Sequence, residues 1–340
     1  MTEMHAVGLY KYLPIDDPDS LVDVQLPKPV AKGHDLLVKV KAISINPVDT
    51  KQRAPKDKIE EKPRVLGWDA AGVVEAVGEE VSLFQPGDQV YYAGAVNRQG
   101  CYSEYQLVDE AVVAKKPVSL GFAEAAALPL TTITAWEALV DRMGITPVAD
   151  GNMGKSILII NAAGGVGSIA VQLASYFGLK VIGTASRPET KEWTEQHGAE
   201  VVINHHQAFL PQLKENGIDT VDYILCLHST DRHWKSMAEV IAPEGHITSI
   251  VENEQPIALG LLKSKSVTFS WEFMFTRPVF RTADRIKQHQ LLEQVADLVD
   301  QGKIKTTLSS QMSGINAAVL RAAHKKVESN AMIGKLVITS

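Results

Sequence analysis

The residues whose types and spacing best suit chemistry form one turn, Ala162-Ala163-Gly164-Gly165-Val166-Gly167. An apolar run, Ser156 to Asn161, leads into it, and a segment of helical period, Ser168 to Gly178, leads out. A glycine-rich turn between a strand and a helix is the setting of a dinucleotide-binding fingerprint. Gly164 lets the backbone approach a pyrophosphate, and Gly167 lets the helix pack closely on the strand. Together with Gly165 and Val166 they open a helix whose free N–H groups and positive dipole end attract phosphate. Ala162 stands where the usual pattern has its first glycine, which is a departure.

Which dinucleotide is bound depends on the end of the next strand, where an NAD site carries Asp or Glu for the ribose hydroxyl. The sequence there is Gly183-Thr184-Ala185-Ser186-Arg187, with no acid before Glu189. Ser186 can donate a hydrogen bond, while Arg187 and Lys191 can neutralise a 2′-phosphate. This pattern favours NADPH over NADH as the cofactor.

The elements that must hold this turn have two rhythms. Residues 1–127 read as short strands (HAVGLYKY, DLLVKVKAISI, AAGVVEAVG, DQVYYAG, YSEYQLV) cut by Gly, Pro and Asp. Such punctuation predicts an antiparallel, barrel-like β domain. From residue 128 apolar runs (SILIIN, KVIGT, AEVVI, VDYILCL, GHITSIV, SVTFSW) alternate with helical segments up to residue 301. Buried strands separated by helices imply a parallel sheet covered on both faces, and six of them suit a doubly wound Rossmann fold. A long helical stretch near 284–301 precedes a tail, 302–340, whose final strand MIGKLVITS could extend that sheet or return to the β domain. The fold class is therefore α/β, with two domains: 1–127, and 128–301.

Composition narrows the function. Lys plus Arg is 34 and Asp plus Glu is 40 in 340 residues, a formal charge of −6. A nucleic-acid partner is not expected, since such proteins carry a basic excess. The 45% hydrophobic content argues against disorder. No window approaches about 18 consecutive apolar residues, and MTEMHAVGLY does not read as a signal peptide, so no membrane association is expected. Two widely separated cysteines, Cys101 and Cys226, suggest free thiols and a cytoplasmic location.

A catalytic zinc needs about three Cys, His, Asp or Glu ligands. The β half offers His5, His34 and Cys101, none spaced with another ligand, and two cysteines are too few for a structural zinc lobe. His205 and His206 are adjacent, so in a strand their rings would point to opposite faces. Cys226 and His228 share a face, which reads as a packed thiol beside a cofactor-facing imidazole. No metal is expected.

Several motifs in order carry a resemblance: SINPVDTKQR (44–53), GWDAAGVVEAVG (67–78), FQPGDQVYYAG (84–94), GCYSEYQLV (100–108), AAALPLTTITAWEAL (125–139) and AAGGVGSIAVQLA (162–174). Over essentially its full length the chain resembles the medium-chain dehydrogenase/reductase superfamily, in its zinc-free, quinone-oxidoreductase-like branch. It also looks like the subgroup labelled zinc-type alcohol dehydrogenase-like proteins. Zinc-dependent members place a ligand Cys before the segment written here Ser44 to Asp49, and a Gly-His-Glu where this chain has Gly67-Trp68-Asp69. Both positions depart from the zinc pattern.

The resemblance implies an N-terminal GroES-like β-barrel domain, a Rossmann domain, and a tail, 302–340, that returns to the first. It implies that Asn46 and Thr134 approach the nicotinamide side of the cofactor, and that Lys335 reaches back to it. His205 occupies a position where relatives have a Tyr near the adenosine ribose. Dimers through the Rossmann sheet are common in the superfamily, so a homodimer is expected, and the aromatic segment WEFMFTRPVF (271–280) is assigned to interface and pocket edge.

The expected activity is hydride transfer from NADPH to a small electrophilic substrate, a quinone or an α,β-unsaturated carbonyl. Such acceptors are already polarised, so positioning and hydrogen bonds can suffice without a Lewis acid. Asp49, Lys51 and Tyr92 are the side chains that could protonate the product, and the sequence does not choose among them. An enoyl-thioester reductase and a non-catalytic NADPH-binding sensor are the alternatives.

Overall fold

The computed structural model describes residues 2–340 and divides into two compact units, residues 2–130 with Phe275–Ser340, and Thr131–Met274. The second unit is built on six strands in the order Val201–Ile203, Lys180–Thr184, Ser156–Ile160, Val221–Cys226, Ile241–Ser249 and Thr268–Trp271. Every neighbouring pair is parallel. The order reverses beside Ser156–Ile160, so the crevice of a doubly wound sheet falls at the carboxyl end of that strand. Ile157 to Ile160 and Ile224 to Cys226 are buried, as strands covered on both faces require.

In the first unit a larger sheet runs Leu308–Ser313, Lys335–Thr339, Asp35–Ser44, Ala70–Val77, Gln89–Tyr92 and Val113–Lys115, with Tyr105–Asp109 also paired to Asp35–Ser44. A smaller sheet holds Val22–Pro27, Glu3–Tyr12 and Lys56–Val65. The pairs made by Asp35–Ser44 are antiparallel, and the final strand, whose destination the sequence left open, pairs with it.

The division falls elsewhere than at the boundary read from the sequence. Residues 275–301, expected in the Rossmann half, belong to the first unit. The reason is the apolar stripe of helix Lys287–Asp300, which buries Leu291, Leu292, Val295 and Val299 there. The hydroxyl of buried Tyr91 donates to the Leu292 carbonyl at 2.6 Å, and the Lys115 N–H donates to Glu293 at 2.7 Å. Among the described residues no helix is long and apolar enough to cross a membrane.

Candidate functional site

In the second unit the strand Ser156–Ile160 ends at Asn161, whose φ of 66° turns the chain sharply. Gly164 then caps helix Gly165–Tyr176 without offering a side chain, so no side-chain acceptor occupies the first N–H groups. A Cβ on Gly167 would stand 2.4 Å from the Asn161 carbonyl oxygen and 2.5 Å from that of Ala162. Gly167 is thus what lets the helix sit on the strand. A Cβ on Gly164 would meet the Asn161 amide nitrogen at 2.9 Å. Gly164, Gly165 and Val166 remain half-buried around an uncapped helix start, a cradle that fits a phosphate.

Beside this turn, Thr184 Oγ1 accepts from the Asn161 N–H at 3.0 Å and lies 3.3 Å from His205 Nδ1. His205 is half-buried, and burial, followed by His206, His228 and Arg232, pushes its pKa down to about 4. Ser186 is exposed at the end of strand Lys180–Thr184. Arg187 opens helix Pro188–Gln196, with Nε 3.2 Å from Glu189, and Lys191 lies 3.8 Å from Glu195. Thr134 is buried in helix Pro129–Trp136. Cys226 and Cys101 are buried free thiols, and Cys226 Sγ points to the His228 carbonyl at 3.4 Å.

The first unit holds a buried polar cluster that the sequence named only in part. Asn46 is 1% exposed, and its Nδ2 donates to the Ser44 carbonyl at 3.3 Å and to Asp69 Oδ2 at 3.1 Å. Its Oδ1 accepts from the Lys335 ammonium. Since an ammonium can only donate, this contact fixes which end of the amide is oxygen. Both amide protons of Asn46 are therefore committed, and the side chain can offer a ligand only a lone pair on Oδ1.

Lys335 is buried and also donates to the Ile45 carbonyl at 3.0 Å, with Asp69 Oδ2 at 3.3 Å. Asp69 Oδ1 accepts from the Leu130 N–H at 3.2 Å. The Asn46 N–H donates to Asp49 Oδ2 at 2.8 Å, closing the capping box of helix Pro47–Arg53, while Asp49 Oδ1 is buried without a hydrogen bond. Burial pushes Asp49 up to about 7 and Asp69 up to about 6, opposed in both cases by Lys335 and Asn46. Burial likewise lowers Lys335, opposed by the two carboxylates.

Of the expected proton donors, Lys51 is exposed, and Tyr92 is a buried phenol held well above its ordinary range by burial. Tyr102 and His324, 3.0 Å apart through the hydroxyl and Nε2, went unnoticed in the sequence because 222 residues separate them.

Comparison with known proteins now places the chain. A family model described as the alcohol dehydrogenase GroES-like domain matches residues 32–118, and one described as zinc-binding dehydrogenase matches residues 197–338. A zinc-type alcohol dehydrogenase-like protein of Staphylococcus epidermidis is 48% identical over 336 residues, covering 98% of this chain and 99% of its own. The chain belongs to the zinc-type alcohol dehydrogenase-like proteins of the medium-chain dehydrogenase/reductase superfamily. It is an α/β oxidoreductase with a Rossmann sheet and an N-terminal GroES-like domain. A solved structure described as a putative zinc-dependent alcohol dehydrogenase from Rhizobium etli has 47% identity and a TM-score of 0.95, covering 100% of this chain and 99% of its own. The Escherichia coli quinone oxidoreductase solved with NADPH has 25% identity and a TM-score of 0.81, covering 99% and 100%.

These descriptions imply zinc, so the donor set decides whether zinc fits. Among the described residues no three His, Cys, Asp or Glu side chains are grouped to hold a metal. Trp68, beside Asp69, is buried and offers no ligand lone pair. The Asp69 carboxylate is engaged by Lys335, Asn46 and Leu130, and burial holds the Cys101 thiol in its protonated form. The residues present do not fit a zinc ion.

Proposed function

We propose that this oxidoreductase is an NADPH-dependent reductase of quinones or α,β-unsaturated carbonyls that works without zinc. The observation that carries the reading is the buried Lys335 ammonium, bound to Asn46 Oδ1, the Ile45 carbonyl and Asp69. The cluster's fixed positive charge belongs to a side chain, so a substrate that needs strong carbonyl polarisation is poorly served, and an already electron-poor acceptor is well served.

The turn Gly164 to Gly167 would hold the pyrophosphate, and Ser186 with the acid-free end of its strand suits a phosphorylated ribose. When bound, the reduced nicotinamide supplies the hydride. Asn46, tied at both ends, offers Oδ1 as a fixed acceptor. Asp49 Oδ1 is the atom where the unit can hold a proton near neutral pH, which distinguishes it from Lys51 and Tyr92 as the proton store. The similarity to the Escherichia coli enzyme supports this class of acceptor and cofactor.

The same reading includes a homodimer. Thr268–Trp271 is an outer strand of its sheet, and Trp271 and Phe273 beside it are 45% and 51% exposed. Such an edge is suited to pairing with a second copy. A species of twice the chain mass on a calibrated sizing column is expected, and a monomer at all concentrations would refute this element.

The activity test follows NADPH and NADH oxidation with an ortho-quinone, a para-quinone, an enal and a simple ketone, with and without a chelator. Chelator-insensitive turnover of quinone or enal that prefers NADPH is expected. Turnover confined to the ketone and abolished by chelator would overturn the proposal.

A further inference from the structure

We propose that Arg232 and His206 are specificity-determining residues that bind the ribose phosphate of a phosphorylated dinucleotide, an inference that rests on the dinucleotide reading above. They lie at the carboxyl ends of Val221–Cys226 and Val201–Ile203, the end of the sheet at which the turn Gly164 to Gly167 leaves Ser156–Ile160. That end is where doubly wound sheets bind their ligands.

Four imidazoles and one guanidinium gather there. His205 and His206 have ring centroids 4.5 Å apart, and His205 and His233 are 6.4 Å apart. His233 is buried and stacked on Phe209 at 5.5 Å, which braces the group from beneath. Arg232 Nη2 lies 3.1 Å from His206 Nδ1. A guanidinium only donates, so Nδ1 must accept, and the proton of neutral His206 is on Nε2. Exposed His206 therefore keeps Nε2–H as a free-facing donor, and exposed Arg232 keeps further N–H groups.

The charge balance points to an anion. The neighbours that act on His205 and His233 are other histidines and Arg232, with no acid among them. Asp231, next in the chain, accepts from the Glu254 N–H at 2.6 Å through Oδ2, and its Oδ1 is buried without a hydrogen bond, so neither oxygen is on the Arg232 guanidinium. Among the described residues Arg232 makes no ion pair with a carboxylate, its guanidinium lying against His206 instead, in a protein whose formal charge is −6. Arg187 and Lys191, the cations singled out from sequence, each have an acid of their own helix alongside, at 3.2 and 3.8 Å. Ser229 holds φ at 50°, a costly conformation for a non-glycine residue, in the turn that presents His228 and starts the helix carrying Arg232. A guanidinium and an imidazole N–H without a counter-ion match the donor pattern that a phosphate monoester dianion needs.

The test is calorimetric titration of the full chain with adenosine 2′,5′-bisphosphate, with ADP, and with inorganic phosphate. Arg232→Met should weaken the bisphosphate about 10-fold or more, as loss of a hydrogen bond to a charged group does, while ADP changes less than about twofold. His206→Ala should show the same selectivity in smaller measure. Equal losses for bisphosphate and ADP would overturn the proposal, as would a selective loss in Arg187→Met but not in Arg232→Met. Inorganic phosphate that competes as well as the bisphosphate would mark a general anion site and also overturn it. Wild-type protein that binds neither nucleotide would bring down the dinucleotide reading itself.

Discussion

Asp49→Asn should change how the stability of this protein depends on pH. The Asp49 carboxyl is fully buried and titrates at about 7, against 3.8 for the unperturbed group, with burial as the main cause. The folded chain therefore binds this proton more tightly than the unfolded chain does. The stabilisation is fully present below the unfolded value and is lost as pH rises through the folded one. Between them the slope is about 1.4 kcal/mol per pH unit, so raising the pH from about 5 to about 8 removes about 3 kcal/mol. Asparagine keeps an oxygen to accept from the Asn46 N–H and carries no titratable proton, so the capping box survives and the slope disappears. Glu272, also raised by burial, titrates in both proteins and cancels in the difference, whereas Asp69 acts on Asp49 only as the last of its causes and adds a smaller change to it. Urea unfolding of wild type and variant at the two pH values gives the four stabilities needed. The gap between the two proteins should shift by about 3 kcal/mol in the variant's favour at the higher pH. Parallel pH profiles would refute the assignment of the proton to Asp49.

Two further substitutions probe the framework. Gly167→Ala drives a methyl to 2.4 Å from the Asn161 carbonyl oxygen, so the turn must shift. Nucleotide affinity measured by calorimetry should fall at least about tenfold, and stability should fall by about 1–3 kcal/mol. Tyr91→Phe leaves the buried Leu292 carbonyl without its 2.6 Å hydrogen bond. A lower urea midpoint, by about 1–3 kcal/mol in stability, is expected without loss of nucleotide affinity.

The Rossmann half was legible because its signals are local. Six apolar runs and a glycine turn each announce themselves within about ten residues, and the strands fall where those runs lie. The helix Lys287–Asp300 is legible as a helix but the unit it joins is not, because an amphipathic stripe states that it will be buried and not against what. The charge cluster was hidden for the same reason. Asn46 and Lys335 could be singled out by resemblance, but only the pairing of Asp35–Ser44 with Lys335–Thr339 brings the ammonium to Asn46 and Asp69. Arg232 is not legible because an arginine in TDRHWK looks like any solvated helix charge until its guanidinium is found against His206 rather than a carboxylate.

Because both arms of the chain contribute to the first unit, the two halves mature at different times on the ribosome. All the strands of the second sheet exist once residue 274 has been made. At that moment the larger sheet of the first unit lacks an interior member, since Lys335–Thr339 lies between Leu308–Ser313 and Asp35–Ser44. Asp49 and Asp69 wait for Lys335 as their counter-charge, and Ala42–Ser44 wait for their partner strand, since Tyr105–Asp109 pairs only with Asp35–Lys39. The nascent protein thus passes through an interval with one finished half and one open half, when chaperones and proteases have their best access. A premature stop before residue 335 would leave it there permanently, with an intact dinucleotide-type fold attached to a sheet that cannot close its charge cluster.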